Sequence, residues 1–161
     1  MKNLSDLFEH EIKDLYSAEK QLIEALPKMV EAASDKALKD AFSNHLKETK
    51  KHLEQINSIC EELDINPGST KCKAMAGLIK ESEGMIKEDA EADVKDAGLI
   101  ACAQRVEHYE IAGYGTAVRF AKELGHNGIA EKLQKTLDQE YNADQKLDNL
   151  AMSRINAEAK A

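Results

Sequence analysis

Apolar residues recur every three or four positions along most of this chain, with polar residues between them. That spacing places the apolar side chains along one face of an α-helix. It predicts helices over residues 3–33, 36–63, 69–89 and 94–124, and a fifth helix with Asn127 as its N-terminal cap. Pro27 lies inside the first predicted helix, where it favours a kink or a missing hydrogen bond near Ile23. No segment of the chain shows the alternating pattern of a β-strand.

The lengths of the connections predict how these helices are arranged. Only a few residues join the first predicted helix to the second and the fourth to the fifth, so each pair is expected to form an antiparallel hairpin. The long connection between the hairpins contains the short third helix and can return along the molecule. We therefore predict an all-α, ferritin-like four-helix bundle, formed as a single domain by residues 1–161 with a fifth helix in its crossover.

Four glutamates interrupt the apolar faces of the four long predicted helices. They are Glu19, Glu48, Glu110 and Glu140, and the intervals within the two pairs are 29 and 30 residues. A carboxylate on the buried face of a helix is unfavourable unless a cation or a metal ion balances its charge. Four such helices that face one another are therefore predicted to form a dinuclear metal site.

Further candidate ligands lie about one helical turn from these glutamates, on the same face of each helix. In chain order they are His45, His52, Glu107 and Asp144. Either of the two histidines is a candidate to coordinate metal, with the other in a supporting position. Carboxylate oxygens with one or two imidazoles suit iron, manganese or zinc, and bridging glutamates allow two such ions to lie close together.

Composition and charge argue against several function classes. The net charge of -8 and the lack of a long basic run disfavour a nucleic-acid surface. The longest apolar run, residues 97–103, is too short to cross a bilayer, and the acids near the N-terminus are unlike a signal peptide. We therefore expect a cytoplasmic protein with no membrane or nucleic-acid partner. Its three cysteines are expected to pack as small apolar residues, with Cys72 the most accessible.

Five segments, spread over nearly the whole chain, carry a family likeness. They are residues 14–22 (DLYSAEKQL), 41–49 (AFSNHLKET), 71–79 (KCKAMAGLI), 106–115 (VEHYEIAGYG) and 140–144 (EYNAD). Together they resemble the YciF-like bacterial stress proteins, a family regarded as ferritin-like, related to rubrerythrin and dimeric. The resemblance implies a homodimer. It also implies that the four glutamates occupy the carboxylate positions of a di-iron bundle, with Glu107 as an extra ligand.

The chain departs from the standard di-iron pattern, which has Glu-x-x-His on two helices. Glu48 and His52 are one residue further apart than that pattern requires, and Asp144 follows Glu140 with no histidine nearby. The resulting ligand set is rich in carboxylates, which favours manganese or weakly held iron.

Three functions follow from these patterns. The leading hypothesis is a dinuclear protein, with two iron or manganese ions, that reacts with peroxide or oxygen under stress. The second is a dimeric helical scaffold whose metal site is vestigial or structural. The third, a DNA-protecting assembly, is disfavoured by the acidic charge of the chain.

Overall fold

The computed structural model describes residues 1–68 and 70–160, and all regular structure in that part is helical. The helices are α1 (Leu4–Ala32), α2 (Lys36–Glu62), α3 (Lys73–Lys87), α4 (Ala92–Glu123), α5 (Asn127–Leu150) and, after a π-helical turn at Ala151–Ile155, α6 (Asn156–Glu158). The predicted all-α class is confirmed. Among the described residues, no helix is long and apolar enough to cross a membrane.

Local sequence explains where most of these helices begin and end. The side chain of Asn3 accepts a hydrogen bond from the backbone N–H of Asp6 and caps α1, and Asp35 caps α2 in the same way. Helix α1 continues through Pro27 as one element. Helix α4 stops before Gly125, whose φ of 78° lies in the left-handed region that glycine adopts without strain.

Two predicted helix starts are wrong. The third helix begins at Lys73 rather than near residue 69, because Cys72 is its cap and accepts from the N–H of Met75; Ser69 itself lies outside the described residues. Asn127 is the first residue of α5 and not its cap. The turn around Gly125 is so tight that the His126 carbonyl already accepts the first helical hydrogen bond of α5.

The four long helices pack against one another in a closed circuit. Helix α1 packs on α2 and α4, α5 packs on α4 and α2, and α3 lies against α1 and α4. Phe8, near the start of α1, stacks on His126 after α4, while Asp96 near the start of α4 contacts Ser34 after α1. Helices α1 and α4 are therefore antiparallel. Since α1 also turns back into α2 within three residues, α2 and α4 run in the same direction.

A layer of buried polar side chains divides the apolar core into two clusters. On α1, Leu15 belongs to one cluster and Leu22 to the other, with Glu19 between them. On α2, Phe42 and Ile56 are divided in the same way. The polar layer thus crosses the middle of the long helices, with apolar packing above and below it.

Asp96 fastens the turn between α1 and α2 to the start of α4. Its carboxylate is only 1% exposed and accepts from the backbone N–H groups of Ser34 and Asp35, at 2.8 and 2.7 Å. Hydrogen bonds to a charged acceptor are stronger than neutral ones, so this contact contributes more than an ordinary turn bond.

Replacement of Asp96 by alanine is expected to lower the free energy of unfolding by about 3 kcal/mol, because two backbone donors lose a charged acceptor. Urea unfolding followed by circular dichroism measures the change. The matched control is Asp93→Ala, at an exposed position in the first turn of α4, where we expect a loss of about 0.5 kcal/mol. Equal effects of the two substitutions would contradict the structural role of Asp96.

Candidate metal centre

Six buried side chains from the four long helices converge in the polar layer. We call them the carboxylate–histidine cluster, and its members are Glu19, His45, His52, Glu107, Glu110 and Glu140. They form two groups, each with ligand atoms within 4.8 Å of one another. All six were predicted from the sequence as metal ligands; their proximity is a structural finding, while their binding of metal stays a prediction.

Helical periodicity places these side chains at one depth. On α2, His45 and His52 are seven residues apart and share a buried row in which Thr49 lies between them. On α4, Glu107 and Glu110 are three residues apart and therefore lie on one face. Helices α1 and α5 each contribute one glutamate, so the cluster draws on all four long helices.

The first group is centred on His45, with Glu107, Glu110 and Glu140 around it. The His45 Nε2 atom lies 3.3 Å from Glu107 Oε1, and its Nδ1 atom lies 4.0 Å from Glu140 Oε2. The group thus offers one imidazole and three carboxylates to a single point. That donor set is typical of hard to borderline divalent cations.

The second group consists of Glu19, His52 and Glu140. The His52 Nδ1 atom lies 2.9 Å from Glu140 Oε1 and 3.5 Å from Glu19 Oε1. Glu140 belongs to both groups, with Oε1 towards His52 and Oε2 towards His45. Its carboxylate is therefore placed to bridge two ions.

Most polar atoms of the cluster have no well-formed hydrogen bond. Within the described residues nine buried side-chain atoms are of this kind, and all belong to the six side chains of the cluster, although two of them, His52 Nδ1 and Glu140 Oε1, lie 2.9 Å apart as an ion pair. Both carboxylate oxygens of Glu110 and of Glu140 are among them. An unpartnered buried polar group costs about 1–3 kcal/mol, and more if it is charged. So many at one place indicate that the protein binds something there.

Burial and mutual repulsion perturb the ionisation of the cluster. Burial, and next the carboxylate of Glu140, raise the pKa of Glu107 and of Glu110 well above the ordinary range. Burial also lowers the pKa of His45. Burial alone would lower the pKa of His52 too, but the carboxylates of Glu140 and Glu19 outweigh it and raise that pKa to about 10. The metal-free cluster therefore holds protons that a cation would displace.

Two side chains outside the cluster orient its members. Tyr114 is fully buried and its hydroxyl donates to Glu19 Oε1. The Oε1 atom of Gln139 lies 2.9 Å from His52 Nε2 and accepts a hydrogen bond from its N–H. With Nε2 occupied in this way, Nδ1 faces Glu19 and Glu140. Such outer hydrogen bonds commonly fix the ring of a metal-binding histidine.

Glu48 and Asp144 lie outside the cluster. Glu48 is one residue from the buried row of α2, so its side chain is 31% exposed, with Oε2 4.0 Å from His45 Nδ1. Asp144 is 22% exposed and accepts from Gln104 and from His108. On α5 the buried residue one turn after Glu140 is Ala143. Asp144 is the next residue, so its side chain points to one side of this row, towards α4. As metal ligands, both residues remain predictions from the sequence.

The expectation that Cys72 is the most accessible cysteine is wrong. Cys72 is 1% exposed, because its backbone is held against α1 by hydrogen bonds with the side chains of Ser17 and Gln21. The Cys72 sulfur lies 2.9 Å from the hydroxyl of Tyr109, which donates to Asp14. A position beside a predicted loop carries no information on what packs over the loop. The contact of Gln139 with His52 has no signal in the sequence either, because it joins different helices.

Comparison with known proteins identifies the relatives of this chain. The model of the DUF892 family, a domain of unknown function, matches residues 3–160. Protein YciF of Escherichia coli (strain K12) is 44% identical over 161 residues, which cover 99% of this chain and 97% of YciF. The resemblance read from the sequence segments is confirmed.

Two solved structures are also similar. The crystal structure of the E. coli stress protein YciF matches with a TM-score of 0.93 and 44% identity, over 97% of this chain and 99% of that one. YcfI from Rhodopseudomonas palustris, described as a candidate structural protein, matches with a TM-score of 0.88 and 41% identity, over 92% of this chain and 94% of that one.

In protein freed of metal by chelation, we expect the free energy of unfolding to fall as the pH rises from 6.5 towards 10. The folded-state pKa of His52 lies above its ordinary value, so the folded state holds a proton that the unfolded state has released. This stabilisation is complete below pH 6.5 and is lost as the pH rises through about 10. One proton contributes a slope of at most about 1.4 kcal/mol per pH unit. Urea unfolding at a series of pH values measures it.

His52→Gln is expected to reduce the slope of the unfolding free energy with pH. Part of the slope remains, because the ionisation of Glu107 and Glu110 also contributes to it. His10→Gln is the matched control, because His10 is an exposed histidine of α1. A stability that stays level or rises across this pH range would show that the cluster is not ionised as described.

Proposed function

The chain belongs to the DUF892 family, and we propose that it is a stress-response protein whose carboxylate–histidine cluster binds two iron or manganese ions and reacts with peroxide or oxygen. The single observation that carries the proposal is the set of nine unpartnered buried atoms, confined to six potential ligands from four helices. The description of the relative YciF as a stress protein supports the physiological setting.

Charge balance supports two divalent ions rather than one. The cluster contains four carboxylates, Glu19, Glu107, Glu110 and Glu140, and two imidazoles that bind metal as neutral ligands. Four buried negative charges would be strongly unfavourable alone, and two divalent cations neutralise them. Glu140, which is shared by both groups, keeps the two ions close to each other.

We further propose that the helices form a ferritin-like four-helix bundle. The circuit of contacts among the four long helices and the parallel course of α2 and α4 support this architecture. Ligands that project inward from each helix of such a bundle suit di-iron or di-manganese chemistry. Both histidines here come from α2, which distinguishes the cluster from a set with one histidine on each of two helices.

The protein side chains have separate tasks in this scheme. Two metal ions, when bound, supply a Lewis-acidic and redox-active centre for the oxidant. Glu140 would hold both ions, and Gln139 keeps His52 Nδ1 directed at Glu19 and Glu140. Tyr114 holds Glu19 by its hydroxyl, and the apolar clusters on either side exclude bulk water. The homodimer implied by the family resemblance remains a prediction.

A second candidate function is a helical scaffold in which the metal has only a structural task. The description of the relative YcfI as a candidate structural protein favours it. Metal would then stabilise the fold by neutralising the buried carboxylates, with no reaction at the ions.

Elemental analysis of natively purified protein is expected to give two iron or manganese ions per chain, one for each group. Glu140→Gln is expected to lose both ions because Glu140 serves both groups, whereas Glu19→Gln retains the ion of the first group. Glu123→Gln is the matched control, since Glu123 is an exposed glutamate at the end of α4. Substoichiometric metal that Glu140→Gln leaves unchanged, with both proteins folded, would falsify the dinuclear site. Two ions without reaction towards peroxide or oxygen would favour the scaffold.

A second set of variants separates the side chains that the structure brings together in the cluster from Glu48 and Asp144, which lie outside it. Glu48→Ala and Asp144→Ala are expected to retain both ions, because neither carboxylate belongs to the cluster. The same elemental analysis measures the outcome, with Glu110→Ala as the positive control for loss. Loss of an ion from Glu48→Ala would instead place Glu48 among the ligands.

A further inference from the structure

An open groove lies between α2 and α5, beside the cluster. It has a volume of about 790 Å³ and is bordered at one end by the π-helical turn. Its outer rim carries exposed polar side chains, among them Asp40, Asn44 and Lys146. Its floor includes His45 and Ala143, which are both buried. The groove therefore extends from solvent to a member of the cluster.

A small void lies further in, between α1, α2, α4 and α5. Its volume is about 20 Å³, which exceeds the roughly 10–15 Å³ that one water molecule requires. The lining is apolar apart from His45 and Glu107, two members of the cluster. The apolar lining consists of Leu22, Leu26, Met29, Ala41, Phe42, Ala103, Val106, Ala143 and Leu147.

The groove and the void have three lining residues in common, Ala41, His45 and Ala143. Two of the three carry only a methyl group, so the partition between the two spaces is thin. His45 is the third, and its ring is the first member of the cluster that a molecule would meet from the groove. The groove and the void therefore adjoin across these three side chains, and together they mark a route from solvent to the first group of the cluster.

We propose that this path admits dioxygen to the cluster, with the void as a binding site for one molecule next to His45 and Glu107. The apolar side of such a void favours small apolar molecules. Hydrogen peroxide needs hydrogen-bond partners for both hydroxyl groups, and the void offers polar atoms on one side only. Charged oxidants are excluded for the same reason. The identification of the admitted molecule as an oxidant rests on the proposed function, whereas the route itself does not.

Xenon tests the path independently of metal. Crystals of the metal-free protein under xenon pressure are expected to show xenon in the void between Phe42, Val106 and Leu147. Ala143→Leu is expected to abolish that density, because the larger side chain extends into the space that Ala143 now borders. Ala112→Leu, on the exposed face of α4, is the matched control and leaves xenon bound. If Ala143→Leu does not fold, Ala41→Val narrows the partition from the opposite helix. An empty void in the wild-type protein would overturn the proposal.

The rate at which bound iron is oxidised tests whether dioxygen is the molecule that uses this route. In protein loaded with iron(II), Ala143→Leu is expected to slow oxidation by dioxygen about tenfold without a change in metal content. Equal rates in the variant and the wild type would overturn the path as the route of dioxygen. A rate with hydrogen peroxide that falls equally would overturn the selectivity for dioxygen. Xenon in the void of a protein that binds no metal would leave the path intact and refute the proposed function alone.

Discussion

The need to balance four buried carboxylates is the constraint on which the rest of the structure depends. Glu19, Glu107, Glu110 and Glu140 lie at the centre of the molecule, where an isolated negative charge is strongly unfavourable. Two histidines relieve part of the repulsion, but nine polar atoms of the cluster remain without partners. The free-energy cost of burying these charges falls where the four long helices meet, and the proposed pair of divalent cations would remove it.

The apolar core is organised around this constraint. Its two clusters lie on either side of the polar layer, so that each long helix is fixed both above and below its polar cluster residues. The turn between α1 and α2 is held against α4 by Asp96, which limits how far these helices can slide past one another. Rigid support of this kind is what a metal site needs to keep its ligands at fixed positions.

The family relationship and the cluster together favour oxygen chemistry over a purely structural role. YciF, a stress protein, shares 44% identity with this chain over nearly the whole of both proteins. A scaffold would need neither a glutamate shared by two groups of potential ligands nor an open groove that reaches His45. The groove and the void therefore give the proposed reaction a physical route, because an apolar opening beside polar ligands selects small uncharged molecules.

The sequence by itself determined the helices, their order and a set of eight candidate side chains that includes the six of the cluster. Helical periodicity is a local property, so the apolar stripes of α1, α2, α4 and α5 place Glu19, His52 and Glu140 inward without further information. Only the tertiary structure decided that Glu48 and Asp144 stay outside, because one residue of helix rotates a side chain by about 100° and the stripe is wider than that difference. The burial of Cys72, the contact of Gln139 with His52 and the two spaces beside Ala143 depend on how separate helices face one another. No local pattern in the chain specifies those distances.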